Sequence, residues 1–196
     1  MRVACIDLEG VLIQEIWPFL ARQTNIEKLS VTTREKADYP ALMRNRITLL
    51  RLHGLKLRDV QAIVAAIEPF PDALPFLATL SNLYSIRIVS DCFYELAENV
   101  LSKLGNPISL CHRLVLDHAG FIVDCSFAAR QGKDDVVAGF LASGAEVLAV
   151  GDAFNDLAML RLANAGFLVR PSELTRAAAP DIAIVEHLYE ITDAVC

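Results

Sequence analysis

Little in this sequence points towards nucleic acid, membrane, zinc or a nucleotide. Its 196 residues hold 18 Lys and Arg against 24 Asp and Glu, a formal net charge of −6. No basic patch or stripe interrupts that balance, and such a patch is the electrostatic footprint of a nucleic-acid partner. No apolar run approaches the roughly 20 residues that a membrane helix needs. The first apolar run meets Asp7 and Glu9 almost at once, which is not the pattern of a signal peptide. The histidines, His53, His112, His118 and His187, are dispersed and form no HExxH or paired spacing, so they are expected to be structural or exposed. The cysteines, Cys5, Cys92, Cys111, Cys125 and Cys196, are odd in number and include no CxxC pair. They suggest neither a disulfide framework nor a zinc-thiolate site; reduced thiols in a cytoplasmic protein are the expectation. A Walker-type glycine loop is absent too, which leaves direct use of ATP without support.

What is present is apolar material: 54% hydrophobic residues against 21% charged. That fills a real core and is too little polarity for disorder. The length fits one compact domain, or a core carrying a modest insertion. Residues 3–6 (VACI), 84–89 (YSIRIV) and 146–150 (EVLAV) are short apolar runs that end abruptly in polar residues, as buried strands do. Residues 166–169 and 181–185 are weaker candidates. Helical spacing of apolar residues recurs at 73–83, 93–104, 134–141 and 156–163, with Gly105 as a C-cap signal. Alternating strands and helices predict an α/β fold, a Rossmann-like parallel sheet covered on both faces. Two segments break the rhythm. Residues 14–71 are too long for a crossover and hold helix-like stretches near 14–24, 41–53 and 57–67, with breaks at Pro40, Gly54 and Pro69. They read as a small helical cap inserted after the first strand, on a core of residues 1–13 and 72–196. Residues 112–127 read as two strands joined by a turn at Asp117-His118-Ala119-Gly120.

Ligands bind at the carboxyl ends of the strands in open parallel sheets. Asp7, Glu9, Ser90, Asp91, Asp152 and Asp156 all fall just past such ends. Any one of them alone has an ordinary structural reading. Asp7 suits a turn, Ser90 a helix N-cap, and Asp91 a structural or capping role. Carboxylates gathered from several strands would repel one another unless a hard cation sits among them, and Mg2+ prefers such oxygen ligands. Asp7 and Asp152 are the best ligands, with the backbone carbonyl at Glu9 as a third. The Ser90 hydroxyl suits a transferring phosphoryl group.

Asp7-Leu8-Glu9-Gly10-Val11, Ser90, Lys133 and Gly151-Asp152-Ala153-Phe154-Asn155-Asp156, in that order, resemble the four motifs of the haloacid-dehalogenase-like phosphatases. Within that superfamily the chain resembles the phosphoserine phosphatase branch, and most nearly the variant that is also a phosphoserine:homoserine phosphotransferase. The resemblance implies that Asp7 attacks phosphorus and forms an aspartyl-phosphate. It implies that Glu9, standing where the family usually has a second aspartate, protonates the leaving oxygen and then activates water. Val11 supplies no hydroxyl where the family often has one. By the same match Lys133 neutralises Asp7 and the phosphoryl oxygens. Gly151 permits a tight exit from the strand. Asn155 contacts the substrate, and Asn155 and Asp156 support the metal's water shell and Lys133. Taken alone, Lys133 is equally a solvated loop charge.

Selection falls to residues 14–71. The segment Met43-Arg44-Asn45-Arg46-Ile47-Thr48-Leu49-Leu50 resembles the arginine-bearing cap helix of phosphoserine phosphatases. The match implies that Arg46 pairs with a substrate carboxylate, and Glu15 with its ammonium group. Both residues also have the plain reading of surface charges. The expectation is a Mg2+-dependent phosphatase of a small phosphorylated amino acid, phosphoserine, with transfer to homoserine as an extension. A phosphatase of another small phosphometabolite, or a binding protein that kept the crevice without the chemistry, are the alternatives. Phe154 has no assigned contact.

Overall fold

The computed structural model describes residues 1–31 and 39–195. The expectations for residues 32–38 of the cap, and for Cys196, lie outside the described residues. A sheet of seven strands forms among the described residues, ordered β4-β3-β2-β1-β5-β6-β7. The strands are β1 (Arg2–Ile6), β2 (Ser85–Phe93), β3 (Ser109–Leu116), β4 (Ile122–Ser126), β5 (Glu146–Gly151), β6 (Ala165–Val169) and β7 (Ala183–Val185). All neighbours pair in parallel except β3 and β4, the predicted hairpin at one edge. Its turn is held by Asp117, whose Oδ1 accepts the N–H groups of Ala119 and Phe121, both at 2.9 Å.

The central strands are buried on both faces, which is why their sequences read as continuous apolar runs. Ala4, Ile6, Leu148 and Val150 face one cluster, and Val3, Cys5, Val147 and Ala149 face the other. Leaving water contributes about 1.5–3 kcal/mol for each large side chain of this kind. Among the described residues, four helical elements lie between β1 and the next core helix. They are α1 (Ile16–Thr24), a 3-10 turn (Glu27–Ser30), α2 (Tyr39–Leu52) and α3 (Leu57–Val64). Their residues Trp17, Leu20, Met43 and Ile47 share one buried cluster with Ile6 and Ile88 of the sheet. The same cluster takes in α4 (Ala73–Leu80) and α5 (Tyr94–Lys103), while α6 (Asp134–Ala142) and α7 (Leu157–Leu162) cover the opposite face.

Three local expectations shift. Pro40 does not break a helix. It lies in the first described turn of α2, the part of a helix where a missing N–H is tolerated. β2 does not stop at Val89 but runs to Phe93 with a change of register, so Ser90 and Asp91 lie inside the strand. Short helices α8 (Glu173–Ala178) and α9 (Leu188–Val195) follow β6 and β7. The four described cysteines are free, with the sulfurs of Cys92 and Cys111 3.5 Å apart. No described helix is long and apolar enough to cross a membrane.

Candidate active site

Asp7 leaves the end of β1 with its N–H still donating to Val150 O of β5, at 2.9 Å. The side chain is only 5% exposed. Its Oδ1 accepts the Leu8 N–H at 2.8 Å and lies 2.9 Å from Lys133 Nζ. Burial pushes its carboxyl up to about 7; Lys133 opposes the shift and the Asp156 charge adds to it. Lys133, 2% exposed, also lies 2.7 Å from Asp156 Oδ1. Burial lowers its pKa, but the carboxylates of Asp156, Asp7 and Asp91 outweigh that and hold it well above the usual lysine range.

Asp156 is wholly buried. Its Oδ2 accepts the N–H groups of Asp152 and Ala153, at 3.0 and 3.1 Å, so it shapes the loop that carries Asp152. Gly151 makes this possible: a Cβ there would stand 2.4 Å from Asp156 Cβ. Asp152 is pushed up to about 8 by burial and then by the charges of Asp7 and Asp156, with Lys133 opposing. Oxygens of Asp7, Asp152 and Asp156 lie within 4.8 Å of one another. Three carboxylates thus meet one ammonium, an excess of negative charge that a divalent cation would neutralise. Both oxygens of Asp156 are already engaged by Lys133 and backbone amides, so Asp7 and Asp152 are the carboxylates left to face an ion.

A cavity of about 180 Å³ opens above this floor. It is lined by Asp7, Glu9, Glu15, Arg46, Ser90, Lys133, Asp152 and Asn155, with Gly151 and Asp156 behind the wall. The structure therefore brings the sequence-derived residues to one place. Glu9 Oε1 accepts the Ile16 N–H at 2.6 Å, tying the first motif to the start of α1. Burial pushes Glu9 up to about 7, against that hydrogen bond. Glu15 stands at the N-cap position of α1 but makes no capping hydrogen bond, and it is exposed. Arg46 is not a surface charge: it is 5% exposed, its guanidinium lies 4.4 Å from the Trp17 ring centre, and Nη2 donates to Val31 O at 2.9 Å. Its Nε is buried without a hydrogen-bond partner among the described residues. Burial lowers its pKa to about 10, with Tyr39, Glu9 and Glu15 opposing. Ser90 is 1% exposed, and its Oγ accepts only a long contact, 3.4 Å, from Cys92 N.

Sequence reasoning misses Trp17, Tyr39 and Arg130 of this region, and it places Asp91 at a strand end with only a structural or capping role. Trp17 and Tyr39 line the cavity from the inserted helices, and Asp91 lines it from β2. Arg130 lies behind them, its Nη2 2.9 Å from Asp91 Oδ1. Trp17 is the chain's single tryptophan, sited a few residues after the first motif, which is a signal of sorts. Arg130 gives none, and the partners of Asp91, though the residue itself stands at a strand end, are distant in sequence. Phe154 is half exposed on the same loop as Asp152.

Known proteins match this chain closely. A family model described as haloacid dehalogenase-like hydrolase matches residues 1–164. Phosphoserine phosphatase ThrH of Pseudomonas aeruginosa is 38% identical over 97% of this chain and 92% of its own length. A phosphoserine phosphatase of Pseudomonas syringae pv. tomato is 40% identical over 86% of this chain and 71% of its own. Among solved structures, a phospho-aspartyl intermediate analogue of phosphoserine phosphatase superposes with a TM-score of 0.80, at 21% identity over 98% of each chain. A phosphoserine phosphatase from T. onnurineus gives 0.78, at 22% identity over 99% of this chain and 94% of that one. These structural likenesses establish a shared fold.

Proposed function

The chain belongs to the haloacid dehalogenase-like hydrolases, and from that premise we propose that it hydrolyses phosphoserine through an aspartyl-phosphate on Asp7. One observation carries the reading. Asp7 Oδ1 is held by Leu8 N–H and Lys133 at the floor of the cavity, whereas Oδ2 has no hydrogen bond among the described residues. One oxygen is anchored and the other is free to attack. Oδ2 bonds to phosphorus as the bond to the serine oxygen breaks. Glu9, with a pKa near 7, gives its proton to that leaving oxygen. In the second half Glu9 takes a proton from water, the water oxygen bonds to phosphorus, and the bond to Asp7 breaks, releasing inorganic phosphate. Lys133 and Ser90 meet the phosphoryl oxygens throughout.

The donor set suits Mg2+: hard oxygens of Asp7 and Asp152, joined by the Glu9 carbonyl. The lack of a Cβ at Gly10 makes room for the Asp152 carboxylate. When bound, the ion neutralises phosphoryl oxygens and lowers the repulsion between them and the carboxylates. Residues 14–71 act as the cap that selects the substrate, with Arg46 reading its carboxylate and Glu15 its ammonium group, in a cytoplasmic protein.

Phosphate release from phosphoserine, measured with Mg2+ and again after rigorous chelation, tests the reading. Full activity without divalent metal rules out the metal, and normal turnover by Asp7→Asn rules out the nucleophile. Tight phosphoserine binding without turnover would identify a binding protein instead. A second acceptor is supported by the presence of Arg46, Glu15, Asp7 and Glu9 around one cavity. An amino-acid alcohol such as homoserine, held in the same cradle as serine, would present its hydroxyl to the aspartyl-phosphate, and positioning favours it over water. Labelled phosphoserine with excess homoserine decides this. Label in phosphohomoserine supports transfer, and label in free phosphate alone leaves a hydrolase.

A further inference from the structure

The segment of β2 that carries Ser90 is irregular. Val89 and Phe93 are four residues apart, yet they pair with Leu110 and His112, which are two apart, so β2 holds two extra residues here. A bulge gives up ladder hydrogen bonds and re-aims side chains. Other groups hold this one. Tyr39 OH donates to Asp91 O at 2.7 Å, and Arg130 Nη2 donates to Ser90 O at 2.7 Å.

The Asp91 carboxylate is the hub of that support. Its Oδ1 lies 2.9 Å from Arg130 Nη2 and 3.5 Å from His112 Nε2. Its Oδ2 accepts from Asn155 Nδ2 at 3.0 Å. His112 Nδ1 accepts the Ala128 N–H at 2.9 Å, so the ring presents its own N–H at Nε2. All three side-chain partners are donors, and only a carboxylate can accept from all of them. Arg130 lies on the loop that leads to Lys133, and Asn155 on the loop that carries Asp152.

We propose that Asp91 is a positioning residue for phosphoryl transfer, its carboxylate fixing Ser90, the Arg130 loop and Asn155 as one unit. The inference rests on the roles given above to Ser90 and Asn155. Asn in place of Asp91 would set an amide N–H against donors on one side of the hub. Partners of this outlying kind change activity by about 10- to 100-fold when removed.

The test measures Asp91→Asn, Asn155→Ala and the double variant, with phosphoserine and with a small aromatic phosphate ester. Inorganic phosphate binding is followed by calorimetry. Asp91→Asn should lower kcat at least tenfold on both esters, because the phosphoryl machinery is disturbed and not the reading of the amino acid. Its loss should be non-additive with that of Asn155→Ala, and phosphate affinity should fall in step. Equal kcat to the unmodified protein, or full additivity, overturns the proposal. Should Asp91→Asn fail to fold, Arg130→Gln is expected to give the same uniform loss on both esters, and unchanged kcat in that variant overturns it. An unmodified protein that cleaves the aromatic ester but not phosphoserine removes the proposed substrate and leaves this test intact. If neither ester is cleaved, phosphate affinity decides, and an unchanged value in Asp91→Asn counts against the hub.

Discussion

A Cβ on Gly10 would stand 2.2 Å from Asp152 Oδ2, so the Asp152 carboxylate keeps its place beside the first motif because residue 10 is glycine. Gly10 also adopts φ +81, in the left-handed region that other residues enter at a cost. Gly10→Ala should therefore do two things. Backbone strain should lower stability by about 1–3 kcal/mol. Displacement of the Asp152 carboxylate should weaken Mg2+ activation by tenfold or more. A Mg2+ titration of activity, paired with a denaturant melt, separates the two effects. An Ala variant with unaltered Mg2+ dependence would show that Asp152 does not hold the ion.

Arg46 should govern which ester is used. Its guanidinium lies at the cavity, braced by Trp17, and its Nε lacks a partner among the described residues. A charged hydrogen bond is worth about 1.5–3 kcal/mol. Arg46→Ala is thus expected to lower kcat/KM for phosphoserine by about 10- to 100-fold. Small aromatic phosphate esters present no carboxylate and should be spared. Equal losses on both would move Arg46 from selection to general structure.

Much of the fold and of the site is legible in the sequence. Asp7 and Asp152 follow short apolar runs bounded by polar residues, which read as buried strands, and a parallel sheet sets its strand ends side by side. Lys133 was harder. Its loop looks solvated, and its burial against Asp7 and Asp156 depends on a fold-back that no local pattern records. The bulge in β2 was not legible, since it is defined by pairing with β3. Asp91 was legible as a strand-end residue with a structural or capping role, but not as a hub, because its partners Tyr39, His112, Arg130 and Asn155 come from four separate stretches of chain. Helices α8 and α9 are short, and their stability comes from packing rather than from periodicity.

Lys133 should carry stability as well as chemistry. Removing one partner of a buried ion pair leaves the other charge uncompensated, at about 3–5 kcal/mol. In Lys133→Met both Asp7 and Asp156 lose their cation. The variant should be inactive and, at pH 8 without metal, markedly less stable than the unmodified protein. The deficit should narrow at pH 5, where the carboxyl of Asp7 can take up a proton. Urea melts at both pH values check this. A deficit that does not change with pH would mean that packing around the lysine stem, and not charge, is what was lost.

Glu9 gives the clearest pH signature. Burial raises its folded-state pKa from 4.5 to about 7. For an acid with a raised pKa, the folded state holds its proton where the unfolded state has released it. Stability from this group is complete below the unfolded value and declines as pH rises through the folded value. Gln cannot ionise, yet its Oε1 can still accept the Ile16 N–H that Glu9 Oε1 accepts at 2.6 Å. In metal-free protein, Glu9→Gln should therefore match the unmodified chain near pH 4 and become the more stable of the two above pH 7. Melting temperatures of both proteins across that range test the linkage; parallel curves would mean that Glu9 does not titrate in this window. The same substitution should nearly abolish turnover, because Gln can neither protonate the serine oxygen nor accept a proton from water. If the pH-dependent crossover appears while turnover survives, the titrating group is Glu9 but the catalytic proton passes elsewhere. Loss of both together ties the proton that controls stability to the proton that serves catalysis.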